Sequence, residues 1–85
     1  MKIKVLYFAG LREQVGSGGE DVDVSPEVTT VAGLRAQLMA RGGAWRAALA
    51  QGRALRVAVN QELATPATPV RPGDEIAFFP PVTGG

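Results

Sequence analysis

The final stretch of the chain, GDEIAFFPPVTGG (residues 73–85), decides the fold. Its apolar run predicts a strand over Glu75–Phe79. Two prolines then end the strand, because proline lacks a backbone N–H and favours an extended conformation. An extended segment of this length reaches roughly 20 Å. We therefore expect a domain over residues 1–79 that ends in a strand, followed by a flexible, extended Gly-Gly tail over residues 80–85.

Three further strands and one longer helix are predicted upstream. The strands are Lys2–Phe8, Asp21–Val24 and Leu55–Asn60, each with alternating apolar side chains. Thr30 is a suitable N-cap for the helix, on which Val31, Leu34 and Leu38 recur on one face. The first two strands are expected to form a hairpin, and the helical crossover is expected to place the third strand parallel to the first.

This order of elements is typical of an α+β fold of the β-grasp, ubiquitin-like type. We expect a mixed sheet of four strands or slightly more, with the helix packed across one face. Short helical turns are predicted at Ala9–Val15 and Ala44–Ala50. Strand alternation predicts that Phe8 and Phe79 point away from the helix, on the opposite face from the buried side chains.

Composition excludes several classes of function. The chain has 85 residues, enough for one domain, and a net charge of +1 without a basic run, which disfavours a nucleic-acid partner. Its apolar stretches are shorter than the roughly 20 residues of a membrane span, and no signal peptide is recognisable, so a cytoplasmic location is predicted. Without cysteine or histidine, a disulfide, a thiolate nucleophile and the usual metal sites are excluded, and an independent active site is not expected.

The two terminal glycines indicate chemistry at a backbone carboxylate. Gly84 and Gly85 carry no side chain, so a narrow channel could admit the backbone and bring another group close to the final carboxylate. A carboxylate is ionised in the cell and is a poor electrophile, so it needs activation by a separate enzyme that uses ATP. The activated carbonyl can then accept sulfur, a thiol or an amine. The alternative interpretation is an ordinary frayed chain end.

Residues 73–85 resemble the C-terminal signature of the small subunit of molybdopterin synthase. The segments Ile3–Ala9 with Leu11-Arg12-Glu13, and Val59-Asn60-Gln61, are similar to that family as well. The resemblance extends over the whole domain, and the FFPPVTGG ending is its most specific part.

The resemblance implies a sulfur carrier whose C-terminal glycine, here Gly85, is adenylated by an E1-like enzyme that uses ATP. A sulfur-transfer system would then form a thiocarboxylate. The carrier would dock on the large synthase subunit, in a complex of two small and two large subunits, and donate sulfur to cyclic pyranopterin monophosphate to form the molybdopterin dithiolene. The residues that would enter the partner's active site are Pro80, Pro81, Val82, Thr83 and Gly84, and those that would form the partner interface are Phe8, Leu63 and Phe79.

Three other interpretations stay open. The first is a sulfur carrier for another pathway, such as thiamine biosynthesis, and the second is a modifier that is conjugated to lysine side chains through the same carboxylate. The third is a ubiquitin-like module that binds a partner non-covalently and leaves its tail idle. Deletion of Gly85 would separate the covalent interpretations from the third, because only the covalent ones require the terminal carboxylate.

Overall fold

The computed structural model describes residues 1–50 and 54–81. The described residues form eight elements in the following order: β1 (Lys2–Tyr7), α1 (Gly10–Val15), β2 (Gly19–Asp23), α2 (Val31–Met39), α3 (Gly43–Ala48), β3 (Arg56–Val59), β4 (Glu62–Ala64) and β5 (Glu75–Phe79). None of the helices that these residues form has the length and apolar character needed to traverse a bilayer.

The strands form one mixed sheet in the order β2-β1-β5-β3-β4. β1 pairs antiparallel with β2 and parallel with β5, while β3 pairs antiparallel with both β5 and β4. The sequence-based prediction of an α+β fold with a mixed sheet is confirmed. β5 therefore lies at the centre of the sheet, with hydrogen-bonded neighbours on both sides.

The core lies between the sheet and α2. Ile3, Val5, Ile76 and Phe78 from the two central strands share one buried cluster with the apolar face of α2. That face consists of Val31, Leu34 and Leu38, which are at most 2% exposed. The helix begins as predicted, because the Thr30 Oγ1 atom accepts a hydrogen bond of 3.3 Å from the backbone N–H of Gly33.

The predicted direction of the third strand is wrong. β3 is antiparallel to β5, and β5 is parallel to β1, so β3 runs antiparallel to β1. The reason is that the helical crossover follows β2 and not β1. A helical crossover carries the chain back to the end of the sheet at which the preceding strand began. The strand after the helix therefore runs in the same direction as the strand before it.

The short strand β4 was not predicted from the sequence. It is connected to β3 by a two-residue turn, and Val59 pairs with Glu62 on the two sides of this turn. Asn60 and Gln61 form the turn with positive φ values of 50° and 69°. Positive φ at both central residues is a feature of the type I′ turn, which matches the twist of a hairpin and favours asparagine. In the sequence, Asn60 indicated the turn. The strand itself could not be recognised, because three residues are too few to show alternation of apolar and polar side chains.

A network of polar side chains ties α3 and the end of α2 to the hairpin. The buried Tyr7 hydroxyl donates to Glu20 Oε2 at 3.0 Å and accepts from Trp45 Nε1 at 3.1 Å. Arg41 donates two hydrogen bonds, of 2.8 and 2.9 Å, to the Glu20 carboxylate, and its guanidinium lies 5.0 Å from the centre of the Trp45 ring. Burial raises the pKa of Tyr7 to about 12, and the Arg41 hydrogen bonds lower the pKa of Glu20. At neutral pH Glu20 and Arg41 are therefore charged and Tyr7 is neutral, and the network links β1, β2, α3 and the loop that follows α2.

Candidate tail exit and docking face

The tail leaves the domain from the end of the central strand. Phe79 is the last residue of β5 and pairs with Arg56 at the start of β3. On the other side, the Phe8 N–H donates to the Phe78 carbonyl at 3.2 Å. Neighbours on both sides thus fix the point at which the chain leaves the sheet. A rigid strand positions a functional group better than a loop does, so this exit suits a tail that must be presented to a partner.

The tail itself is described only at its base. Pro80 and Pro81 follow Phe79 and are half-buried. Four of the predicted site residues lie outside the described residues. They are Gly85, the predicted site of chemistry, and Val82, Thr83 and Gly84, which are predicted to enter the partner's active site. Their roles, and those of the two prolines, stay predictions.

An apolar row crosses the face of the sheet that α2 does not cover. Register places Leu6 beside Ala77, Ala77 beside Ala58, and Ala58 beside Leu63. All four side chains point outward, because they alternate with buried neighbours such as Val5, Val57 and Ile76. We call this row, together with Phe8 and Phe79, the outer face.

The apolar side chains of the outer face differ in their exposure to solvent. Leu63 is 72% exposed and Phe8 is 48% exposed. Phe79 and Ala58 are half-buried, and Ala77 is buried between its neighbours in the row. Exposed apolar side chains that lie together on one face mark interaction sites more often than isolated ones do. The arrangement suits a protein partner that covers the sheet next to the tail exit.

Charged and polar side chains border the outer face at the end opposite the tail. Lys4 lies between Asp21 on β2 and Glu75 on β5 in the sheet register. Asn60 continues this border, since its side chain donates to Asp74 Oδ1 at 3.0 Å and accepts from the Glu75 N–H at 3.0 Å. The apolar part of the outer face therefore lies toward the tail exit, and the polar side chains at its far end resemble the polar rim of many protein interfaces.

The structure brings the three predicted interface residues to one face. Strand alternation correctly predicted that Phe8 and Phe79 point away from the helix, and Leu63 joins them through the unpredicted strand β4. The role of these residues in partner binding stays a prediction. Sequence reasoning missed Leu6, Ala58 and Ala77, because only the register between strands distant in sequence shows that they form one row.

Gly19 makes room for one member of this row. It lies opposite Leu6 in the register, and a Cβ atom built at Gly19 would come within 2.8 Å of Leu6 Cδ2. The Leu6 side chain therefore lies over the backbone of β2. This close approach requires glycine at position 19, or else Leu6 must move.

The fold and the tail exit define a class: a ubiquitin-like β-grasp domain that presents a C-terminal tail from its central strand. The chain belongs to the ThiS family, whose profile matches residues 5–85. It is 47% identical over 83 residues to the molybdopterin synthase sulfur carrier subunit of Escherichia coli strain K12, an alignment that covers 98% of this chain and 99% of the relative.

Solved structures agree with this assignment of the fold. The crystal structure of SAMP1 from Haloferax volcanii is 30% identical, with a TM-score of 0.77 and full coverage of both chains. A protein–protein complex of subunits 1 and 2 of the molybdopterin-converting factor from Helicobacter pylori 26695 contains a chain that is 26% identical, with a TM-score of 0.65 and full coverage of both. The family and fold inferred from the sequence are confirmed.

Proposed function

We propose that this chain is the sulfur carrier subunit of a molybdopterin synthase. The observation that carries the proposal is the 47% identity to a subunit of that name over nearly the whole of both chains. The structure supports it with an apolar outer face beside the exit of a tail that ends in two glycines. Within residues 1–50 and 54–81, no group of three or more His, Cys, Asp or Glu side chains is placed to hold a metal ion.

The proposed chemistry takes place at the carboxylate of Gly85. A carboxylate oxygen attacks the α-phosphorus of ATP in the site of an E1-like enzyme, pyrophosphate leaves, and an acyl adenylate forms. Hydrosulfide supplied by a sulfur-transfer system then attacks the carbonyl carbon, AMP leaves, and loss of the S–H proton gives the thiocarboxylate. This chain contributes an end without side chains, which permits close approach, and no catalytic side chain of its own.

The partner in the second half of the cycle is the large synthase subunit. The outer face contacts the large subunit and the tail enters its active site. The thiocarboxylate sulfur then forms a C–S bond with cyclic pyranopterin monophosphate while a C–O bond of that substrate breaks, its oxygen leaving with the phosphate or as water, and a thioester to Gly85 results. Hydrolysis returns the carboxylate to Gly85, and two rounds complete the dithiolene. The proposed assembly contains two small and two large subunits, with the activating enzyme and the large subunit using the same outer face in turn.

The mass of the C-terminal tryptic peptide tests this proposal. Because Arg71 precedes a proline, the expected peptide runs from Val57 to Gly85, and it contains no methionine whose oxidation would imitate the mass change. Protein isolated with its native partners should show replacement of one oxygen by sulfur, whereas a variant that lacks Gly85 should not. A peptide that is never modified, even after addition of activating enzyme, ATP and a sulfur source, would contradict the proposal.

A second function is favoured by one structural likeness. The H. volcanii small archaeal modifier protein 1 is 29% identical to this chain with a TM-score of 0.75. Conjugation through Gly85 would use the same adenylate and an attacking lysine amine. Tryptic digestion of a cell extract should then yield lysine peptides that carry the segment Val57–Gly85 as a branch, because trypsin does not cleave between Val57 and the C-terminus. Their absence, with a thiocarboxylate present, would leave sulfur transfer as the function of this chain.

A further inference from the structure

A groove lies between the first turns of α2 and the β3–β4 edge of the sheet. Its volume is about 190 Å³. Val31, Leu55, Val57 and Phe78 contribute apolar surface to it, and Pro66 lies on the β4 side. Binding sites for small molecules usually measure about 300–1,000 Å³. The groove is therefore better suited to one or two side chains of a protein partner than to a cofactor.

The walls of the groove are fixed by backbone hydrogen bonds. The N–H groups of Val31 and Ala32, at the start of α2, donate to the carbonyls of Thr68 and Pro66 at 3.0 and 2.9 Å. These bonds hold the segment after β4 against the helix. The groove is thus formed before any partner binds, which reduces the entropy lost on binding.

Two arginines make the groove cationic. Arg35 and Arg56 both line it, and no Asp or Glu does so within the described part of the chain. Arg35 donates to the carbonyls of Leu49 and Ala50 at 2.7 and 2.6 Å, which uses two of its five N–H groups. Among residues 1–50 and 54–81, neither arginine has a carboxylate within salt-bridge distance. A carboxylate brought by a partner would complement both charges.

The groove is continuous with the outer face. Leu63, the most exposed large apolar side chain of the described residues, belongs to the outer face and also lines the groove. Arg56 lines the groove and pairs with Phe79 at the tail exit. A protein that covers the outer face at Leu63 and Phe79 therefore reaches the mouth of the groove.

We propose that the groove receives an apolar side chain, flanked by a carboxylate, from the large synthase subunit docked on the outer face. The interface then continues around β4 onto the helix side of the domain. This inference rests on the proposed function, since it requires the large subunit as partner. It adds a contact at the edge of the sheet, between the outer face and α2, with apolar packing in the groove and ion pairs to Arg35 and Arg56.

Two exposed alanines on the same helix provide a matched test. Ala32 lines the groove, whereas Ala36, one turn further along α2, does not. Ala32→Glu would fill the groove and place a negative charge against the incoming carboxylate, while Ala36→Glu makes the same substitution outside it. Titration of the large synthase subunit into each full-length variant should give a Kd at least about tenfold weaker for Ala32→Glu and within about twofold of wild type for Ala36→Glu.

A second measurement covers the case in which Ala32→Glu fails to fold. The chain contains no cysteine, so Ala32→Cys and Ala36→Cys each create a unique attachment point for an environment-sensitive fluorophore. On addition of the large subunit, the emission of a probe at position 32 should shift to shorter wavelength, and that of a probe at position 36 should not. An unchanged spectrum at position 32 would overturn the proposal.

The outcomes separate this inference from the function on which it rests. If the wild-type chain does not bind the large subunit, the proposed function fails and the groove proposal fails with it. If the wild type binds, Leu63→Ala weakens binding, and Ala32→Glu matches Ala36→Glu, then only the groove proposal is overturned. Selective weakening by Ala32→Glu in a folded variant supports both.

Discussion

Replacing Leu63 by alanine should weaken docking far more than folding. This side chain is 72% exposed, so the folded domain covers only about a quarter of it. Complete burial of a leucine side chain contributes roughly 1.5–3 kcal/mol. The substitution should therefore lower the free energy of unfolding by at most about 0.4–0.8 kcal/mol, which urea denaturation can measure.

The effect on docking follows from the exposed part of the same side chain. If the large synthase subunit covers it, Leu63→Ala loses about 1–2 kcal/mol of binding free energy, or about five- to thirtyfold in Kd. Isothermal titration of the large subunit into the wild-type and variant chains measures this difference directly.

The same substitution at Leu38 is the control. Leu38 is fully buried on α2, so Leu38→Ala should cost about 2–5 kcal/mol of stability and leave the Kd of the folded fraction unchanged. The reasoning would be refuted if Leu63→Ala bound the large subunit as tightly as wild type. It would also be refuted if Leu63→Ala unfolded the domain as readily as Leu38→Ala.

Three further substitutions test local features of the fold. Thr30→Ala removes the cap of α2 and should lower stability by about 1 kcal/mol in urea denaturation; an unchanged midpoint would show that the cap contributes nothing. Because Arg41 lowers the pKa of Glu20, this carboxylate stabilises the folded state above its unfolded pKa of roughly 4.3, and the contribution is lost as pH falls through the lower folded value. Glu20→Gln should therefore lose stability at pH 7, and the loss should shrink as the pH falls below the pKa of the unfolded carboxyl group; an equal loss at every pH would contradict the assignment. Gly73→Ala, at a φ of 85°, should raise the strain in the turn before β5 and cost about 1 kcal/mol, measured as a lower melting temperature with unchanged docking.

Much of the fold follows from local patterns in the sequence. Alternation in KIKVLYF and EIAFF correctly indicated which side chains of β1 and β5 are buried, because period-two patterning directly reflects the two faces of a strand. The side chain of Thr30 identified the start of α2 for an equally local reason. The direction of β3 was wrong because it depends on which strand precedes the crossover, and the local pattern of β3 carries no such information.

The candidate site was less predictable, because it depends on contacts between distant segments. The row from Leu6 to Leu63 joins four strands, and of its members only Leu63 was named in advance, because of the family resemblance and not because of a local pattern. The alanines at 58 and 77 are unremarkable in the sequence and become part of a face through register alone. The groove beside α2 likewise requires the packing of β4, whose three residues gave no periodic signal.

The parallel pairing of β1 with β5 also determines how the domain responds to mechanical force. Pulling the chain at Met1 and at Pro81 would load these two strands in opposite directions along their length, so that the ladder between them is sheared as a unit and not peeled open one bond at a time. Resistance to such a load is governed by the unfolding rate, which force spectroscopy measures. A tail anchored in this way can be drawn into a deep channel and pulled out again while the domain stays folded.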